Sequence, residues 1–168
     1  MIRKFNGKKP IIAPSAFISE AAYVVGDVEI GEMSNIWPGA VIRADFGKIT
    51  IGKNTSIEDN CLIHGPGDAT IGDNVIIGHG AVIHCKRIGN YVLIGNNATI
   101  LDEVEIADSC IIGAGSLLKI GTKIPANSLV VGSPAVVKRK LSHRQLNMLK
   151  DDSDIYTKLA EKYKLQGL

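Results

Sequence analysis

Three of the four histidines of this chain lie between residues 64 and 84, in segments that are otherwise glycine-rich and aliphatic. His64 ends the stretch CLIH, and His79 and His84 stand five residues apart in GHGAVIH. Neutral imidazole is a common metal ligand, and three histidines with one open position are a frequent donor set of catalytic zinc. The chemistry to be tested is therefore metal binding, provided that the fold brings these rings together.

A structural role is the alternative for each histidine. A lone histidine on a strand is more often a polar surface residue than a ligand, and stacked histidines can form a neutral ladder. His143, in the C-terminal segment, is interpreted in this way.

The elements that would position these side chains follow from an internal period of six residues. From Ile12 to Val136 every sixth residue is aliphatic, apart from interruptions after Ile42, Ile63 and Ile83. The residue four places further on is usually small. An α-helix has a period near 3.6 and a flat strand a period of 2, so neither explains the pattern. Three hexapeptides per coil, with neighbouring coils paired about 4.8 Å apart, predict a parallel β-helix.

The repeat also predicts which side chains share a corner of this prism. His64 and His84 each follow an equivalent aliphatic position, so they stack, with Arg43 one coil below. His79 lies on the adjoining side, with Asp59 one coil below it. Two stacked imidazoles can converge on one ion, and a three-fold trimer would bring His79 of a neighbouring subunit to the pair.

The composition of the chain limits the partners and the cellular compartment that we expect for it. The formal net charge is +2, and no basic stripe is interleaved with aromatic residues, so no nucleic-acid partner is expected. No apolar run is long enough to span a bilayer, and the start MIRKFNGKKPIIAPSAF lacks a signal-peptide apolar region, so we expect no membrane partner. Three cysteines without a CxxC pair indicate a reducing, cytoplasmic setting. Cys61 and Cys110 fall at the small inward position, and Cys85 is interpreted as an inert thiol.

The chain divides into two parts. Residues 1–137 are expected to form the β-helix domain, and residues 138–168 a C-terminal helical segment packed on it. Ser142 is placed to cap a short helix, and Asp151, Asp152 or Ser153 a longer one. In the longer helix that follows, Ile155, Leu159 and either Lys162 or Tyr163 share a face, which we expect to contact the prism.

These segments resemble the gamma-class carbonic anhydrase family over nearly the whole chain. VIRAD (41–45) is similar to the family's Arg-x-Asp segment, and SIEDNCLIH (56–64) to its Asn-x-Gln-Asp segment, whose Asp precedes the first ligand histidine by five residues. GHGAVIH (78–84) is similar to the segment that holds the other two ligands. The resemblance implies an all-β fold: a left-handed parallel β-helix of hexapeptide repeats with a C-terminal α-helix, assembled as a homotrimer.

The resemblance also implies the activity, which is reversible hydration of CO2 to bicarbonate. His64 and His84 of one chain and His79 of the next would hold one Zn²⁺ or Fe²⁺ per chain, shared between adjacent subunits. Such an ion lowers the pKa of its bound water from 15.7 to about 7, so that a metal-bound hydroxide attacks CO2.

Four further residues acquire expected roles from the family. Arg43 and Asp59 would form an ion pair across the subunit interface, with Asp45 supporting it; a salt bridge that only holds the trimer together is the alternative. Tyr156 matches a tyrosine that reaches the site, or else simply packs its helix.

Glu58 is the residue of this set that departs from the family pattern most. It stands where the family commonly has Gln, and Ser56 stands where the family has Asn. An ionised glutamate only accepts hydrogen bonds, whereas an amide also donates. Glu58 is therefore either a proton acceptor or a charge that repels bicarbonate.

Two other functions compete with CO2 hydration. Many hexapeptide-repeat proteins are acyl-CoA-dependent acyltransferases, which use one histidine as general base and a long loop over the acceptor site. This chain has three histidines in a metal-binding pattern and no such loop, so the transferase ranks second. The third alternative is a catalytically weak or inactive relative that keeps the metal.

Overall fold

The computed structural model describes residues 1–151 and 153–167, which form short β-strands followed by two α-helices. The strands are β1 Ile2–Arg3, β2 Ile11–Ile12, β3 Phe17–Ile18, β4 Tyr23–Ile30, β5 Asn35–Ile36, β6 Val41–Ile51, β7 Ser56–Ile57, β8 Leu62–Ile63, β9 Ala69–Ile71, β10 Ile76–Ile77, β11 Val82–Ile83, β12 Arg87–Ile88, β13 Leu93–Ile94, β14 Thr99–Ile100, β15 Glu105–Ile106, β16 Ile111–Ile112, β17 Leu117–Leu118, β18 Lys123–Ile124, β19 Ser128–Gly132 and β20 Ala135–Lys140. The helices are α1 His143–Asp151 and α2 Ser153–Gln166.

The strands of successive coils pair in parallel, and this arrangement confirms the predicted left-handed parallel β-helix. One face of the prism is a sheet in the order β19-β16-β13-β10-β7-β5-β3, with β20 added antiparallel to β19 at its end. The register keeps equivalent positions together, as in the column that joins Ile57, Ile77 and Ile94. Because each coil contacts only its neighbours, position along the chain corresponds to height along the prism.

The aliphatic column forms the core, as the six-residue period predicts. Ile36, Ile57 and Ile77 are fully buried, and removing each such side chain from water contributes about 1.5–3 kcal/mol. The small column fills the remaining space, with Cys61 and Cys110 buried inside the prism as expected. No helix of the described residues is long and apolar enough to cross a membrane.

The end of the repeat differs from the sequence analysis. Val136 continues the six-residue count but is 56% exposed, because the chain reverses after Gly132 and β20 runs back along β19. β20 also extends across residue 137, where the sequence analysis placed the boundary of the β-helix domain.

The first interruption of the repeat is absorbed by the longest strand. β6 pairs with β4 along most of its length, with an irregularity in register between Gly26 and Val28. Gly26 has φ 89°, and an added Cβ would lie 2.1 Å from the carbonyl oxygen of Ala44, so glycine is required there. Asp45 lies within this irregular part of β6, two residues after Arg43, which still pairs in register with Val25.

The helical segment begins with the predicted cap. The backbone N–H of Gln145 donates to Ser142 Oγ at 3.3 Å, and Gln145 Oε1 accepts from the Ser142 N–H at 3.1 Å, which is a reciprocal capping box. Leu141 and Leu149 are buried against Ile111 on the side of the prism, so α1 follows the upper coils.

The packed face of α2 is only partly the one predicted: it contains Tyr163 but neither Ile155 nor Leu159. Ile155 is 60% and Leu159 38% exposed, whereas Tyr156, Ala160 and Tyr163 form the face that packs on the prism.

Aromatic rings on the prism explain which face of α2 is chosen. Tyr163 lies edge-on to Trp37, with centroids 5.1 Å apart, and to Phe17 at 6.0 Å. Lys164 Nζ also donates to three backbone carbonyls of residues 14–16, so α2 is held on the first coils. Large aromatic contacts of this kind outweigh two aliphatic side chains.

Candidate metal centre

The first part of the site is the stacked pair His64 and His84. The pairing of Ile63 with Ile83 places both on one corner of successive coils, as predicted. His64 Nδ1 lies 3.0 Å from His84 Nε2, and the ring centroids are 4.9 Å apart. The two rings therefore converge through one nitrogen each.

This separation fits two ligands of a single ion. Two imidazole nitrogens bound to one tetrahedral zinc lie about 3.3 Å apart, given Zn–N distances near 2.05 Å. The nitrogens that point away are each occupied by a carboxylate: His64 Nε2 lies 2.9 Å from Asp45 Oδ1, and His84 Nδ1 lies 2.6 Å from Asp102 Oδ1. Carboxylates behind ligand histidines fix the ring orientation and tautomer in metal sites.

Asp45 does more than the expected support of an ion pair, because it joins Arg43 to His64. Its Oδ2 is paired with the Arg43 guanidinium while its Oδ1 faces His64. Desolvation by burial acts to raise the pKa of Asp45, but the hydrogen bonds and charges of His64 and Arg43 outweigh it and lower this pKa. Asp45 is thus held ionised beside the histidine that it orients.

Asp102 is a functional candidate that the sequence analysis missed. It comes two residues after Ile100, which pairs with Ile83 on the coil below. The register places this acid one coil above His84, and the sequence could have identified Asp102 as a candidate on that basis. The side chain of Asp102 is 40% exposed, so its position is set mainly by the hydrogen bond to His84.

Asp102→Asn tests this orienting role. We expect metal affinity to fall about 10- to 100-fold, because the amide can present its NH2 to His84 Nδ1 and favour the wrong tautomer. Competition with a chromophoric chelator measures the change. Glu103→Gln is the matched control, since Glu103 is the adjacent exposed acid and makes only a 4.0 Å pair with Lys86. Equal affinities for the two variants would remove Asp102 from the site.

His79 lies on the adjoining side of the prism, above Asp59, as predicted. Its Nε2 is 3.1 Å from Glu58 Oε2 and its Nδ1 is 3.0 Å from Asp59 Oδ2, while the side chain is 52% exposed. Within the described residues of one chain, no three His, Cys, Asp or Glu side chains are grouped so as to hold a metal ion. A single chain thus brings together the pair His64–His84 and, separately, His79 with two carboxylates.

Glu58 is almost fully buried, with 3% of its surface exposed. Its Oε2 accepts the backbone N–H of His79 at 3.1 Å, but Oε1 has no hydrogen-bond partner among the described residues. Ser56 Oγ, two residues earlier, is the other buried side-chain atom of the described chain without a partner. Because an orphaned polar group in the interior costs about 1–3 kcal/mol, these two neighbours indicate a place where a partner is missing from the single chain.

Two cavities meet at Glu58 beneath α2. One of about 480 Å³ extends over Leu93 and Asn96, and one of about 180 Å³ lies against Trp37 and His79. Tyr156 lines both, so it is placed near Glu58 while it also packs its helix.

Other residues near the histidines are less suited to chemistry. Asp68, the acid of the loop after His64, accepts the Lys48 backbone N–H at 2.8 Å and so links two successive coils. Phe46 is 69% exposed and its ring lies 5.5 Å from that of His64. Burial raises the pKa of the Cys85 thiol to about 12, which agrees with an inert role.

Comparison with known proteins gives the family context. Residues 86–119 match the family model described as bacterial transferase hexapeptide (six repeats). The chain is 46% identical over 153 residues to a protein named probable carbonic anhydrase from Methanocaldococcus jannaschii, covering 90% of this chain and 96% of that protein. It is 36% identical to the mitochondrial gamma carbonic anhydrase 2 of Arabidopsis thaliana over 92% of this chain, but it spans only 58% of that protein's length.

A solved structure supports the fold comparison. A hexapeptide transferase family protein from Anaplasma phagocytophilum superposes with a TM-score of 0.93 at 32% identity, covering 96% of this chain and 97% of that one.

Proposed function

Because the chain belongs to the gamma-class carbonic anhydrase-like family of hexapeptide-repeat proteins, we propose that it catalyses the reversible hydration of CO2 to bicarbonate. The observation that supports this most is the convergence of His64 Nδ1 and His84 Nε2, each ring backed by a carboxylate. That arrangement directs two oriented imidazole nitrogens to one point. Stacked histidines that only form a neutral ladder on the surface would not require this orientation.

The proposed site is completed by a homotrimer. His64 and His84 of one chain and His79 of a neighbouring subunit would hold one Zn²⁺ or Fe²⁺ per chain, leaving a position open for water. The ion supplies, when bound, the Lewis acidity that makes water a nucleophile near neutral pH. The exposure of His79 and the orphaned Glu58 oxygen support a site that needs a second subunit.

The chain's own residues then have separate tasks. Asp45 and Asp102 hold the imidazoles of His64 and His84, and Asp59 orients His79 through its Nδ1. We assign Glu58 as the proton acceptor, since its carboxylate lies 3.1 Å from His79 Nε2 and borders both cavities.

Two further assignments concern the subunit interface and the helix. The exposed part of the Arg43 guanidinium is left to pair with Asp59 across the interface. We assign to Tyr156 a contact with solvent or substrate, which is supported by its position in the lining of the cavity beside Glu58.

An acyltransferase is the second candidate, favoured by the likeness to a hexapeptide transferase family protein. A transferase would need acyl-CoA bound along the prism and a histidine free to act as base. Within one chain both ring nitrogens of His64, His79 and His84 already face a carboxylate or a neighbouring imidazole, so none has a free nitrogen. Calorimetric titration with acetyl-CoA decides the point, because saturable binding in the micromolar range would favour the transferase.

The test of the proposed function is stopped-flow CO2 hydration on protein purified without oxygen and loaded with Fe²⁺ or Zn²⁺. We expect metal-dependent hydration that falls to the background rate in His64→Ala. His143→Ala is the control, because His143 begins α1 away from the site and should leave the rate unchanged. Full metal occupancy without hydration would contradict the proposal and favour an inactive metal-binding relative.

A further inference from the structure

The charge of the chain is distributed unevenly along its length. Residues 109–150 contain no Asp or Glu, although the whole chain has 17 acidic residues. The same segment carries seven basic residues: Lys119, Lys123, Lys138, Arg139, Lys140, Arg144 and Lys150. A chain with a formal charge of only +2 therefore concentrates a strongly positive region in one segment.

The fold turns this segment into one end of the molecule. Coils stack in sequence order, so β17, β18 and β19 form the last coil and β20 is the outer strand of its sheet. We call residues 117–144 the basic end. β20 pairs with β19 alone in the described structure, so its other edge faces outward.

Little of this charge is neutralised by neighbouring acids. Among the described residues, the ion pair of the basic end is Lys123 with Glu105, at 3.1 Å. Arg139 donates to the carbonyl of Lys140 and to Gln145 Oε1, and Lys140 Nζ donates to the carbonyl of Ala126. These acceptors are neutral, so the positive charges remain.

The helices that follow lead away from the basic end. α1 descends along the side of the prism, and α2 packs on β3, β5 and β7, with Lys164 bonded to carbonyls of residues 14–16. Glu161 of α2 therefore lies beside the first coils, at the opposite end.

Exposed aliphatic side chains accompany the charge. Ile120 is 67%, Val136 56% and Val137 45% exposed. A terminal coil needs a polar cap, and lysines on an edge strand prevent pairing with other chains. Capping the last coil and protecting its edge strand explain why charged residues are present. They do not explain why all these charges are positive, or why three aliphatic side chains are exposed.

We propose that the basic end docks on an anionic lipid surface. Lysines attracted to acidic headgroups, together with aliphatic side chains that enter the headgroup region, are what such a surface recognises. Nucleic acid fits less well, since residues 109–150 contain no aromatic residue to stack on bases. A protein partner fits less well because protein interfaces favour aromatic residues and Arg over Lys.

Vesicle flotation tests the proposal on the full chain. We expect binding to vesicles of phosphatidylcholine with about one third phosphatidylglycerol at ~0.1 M salt, and its loss at high salt or on pure phosphatidylcholine. The triple variant Lys119→Gln/Lys138→Gln/Arg144→Gln should weaken binding on the order of a hundredfold. Ile120→Ser/Val136→Ser should weaken binding without changing its salt dependence.

A matched variant shows whether vesicle binding depends on the basic end or only on the net charge of the protein. Lys4→Gln/Lys9→Gln/Lys158→Gln removes three exposed positive charges from outside the basic end and should bind as the parent does. Equal loss in both triple variants would overturn the proposal, as would failure of the parent to bind anionic vesicles. Binding to duplex DNA in place of vesicles would overturn it in favour of a nucleic-acid surface. CO2 hydration in the triple variant should be unchanged, so this result is independent of the proposed function.

Discussion

Replacing His79 by alanine is expected to abolish both metal binding and CO2 hydration, although it leaves the His64–His84 pair intact. Two histidines that converge at 3.0 Å are too few to retain a catalytic zinc through purification, so metal content should fall from about one per chain to near zero. Elemental analysis and stopped-flow hydration measure the two losses. His143→Ala is the matched control, with metal content and rate as in the parent. Full metal occupancy in His79→Ala would remove His79 from the ligand set.

Mixed trimers show whether the third ligand comes from another chain. His79→Ala and His64→Ala are each expected to be inactive, but in a mixed trimer one interface combines His64 and His84 of the first variant with His79 of the second. Random assembly from equal amounts should restore about a quarter of the parental sites, and hence about a quarter of the activity.

The mixing experiment has a clear negative outcome. Subunits can be exchanged by co-expression with two different affinity tags, and hybrids isolated on both. If all three ligands came from one chain, the hybrids would stay inactive and metal-free. A monomer that keeps its metal in analytical centrifugation would contradict the trimer directly.

The stacking of His64 on His84 could be predicted because it follows from counting. Each follows an aliphatic core position, and the period of six with its interruptions sets their relative height, which the pairing of Ile63 with Ile83 confirms. The same count places Asp102 one coil above His84. It does not define where a corner residue directs its side chain, and the hydrogen bond between Asp102 and His84 depends on that direction.

The helix α2 shows a second limit of sequence reasoning. Helical spacing grouped Ile155 and Leu159 with Lys162 or Tyr163. Of these, Tyr163 packs on the prism, because it contacts Trp37, which is far away in sequence. A periodic pattern identifies an apolar stripe, whereas the shape of the surface that receives it is tertiary information. The assignment of the metal ligands and of Glu58 stays a prediction.

Glu58→Gln is expected to slow CO2 hydration about a hundredfold while metal content stays at the parental level. The variant keeps the size of the side chain and the acceptor for the His79 backbone N–H, but it removes the carboxylate that we assign as proton acceptor. The fold should not suffer, because a neutral amide is less costly to bury than a carboxylate that is 3% exposed with an orphaned oxygen. The unfolding midpoint in urea should therefore be no lower than that of the parent.

Chemical rescue distinguishes the two possible roles of Glu58, which are accepting a proton and repelling bicarbonate. A small diffusible base such as imidazole can accept the proton in place of the missing carboxylate, so added imidazole should restore much of the rate in Glu58→Gln and change the parent little. Glu161→Gln, an exposed glutamate of α2, is the matched control and should need no rescue. A Glu58→Gln enzyme that is faster than the parent would mean instead that the Glu58 charge repels bicarbonate. The site would then owe its low or absent activity to the residue that distinguishes it from the family pattern.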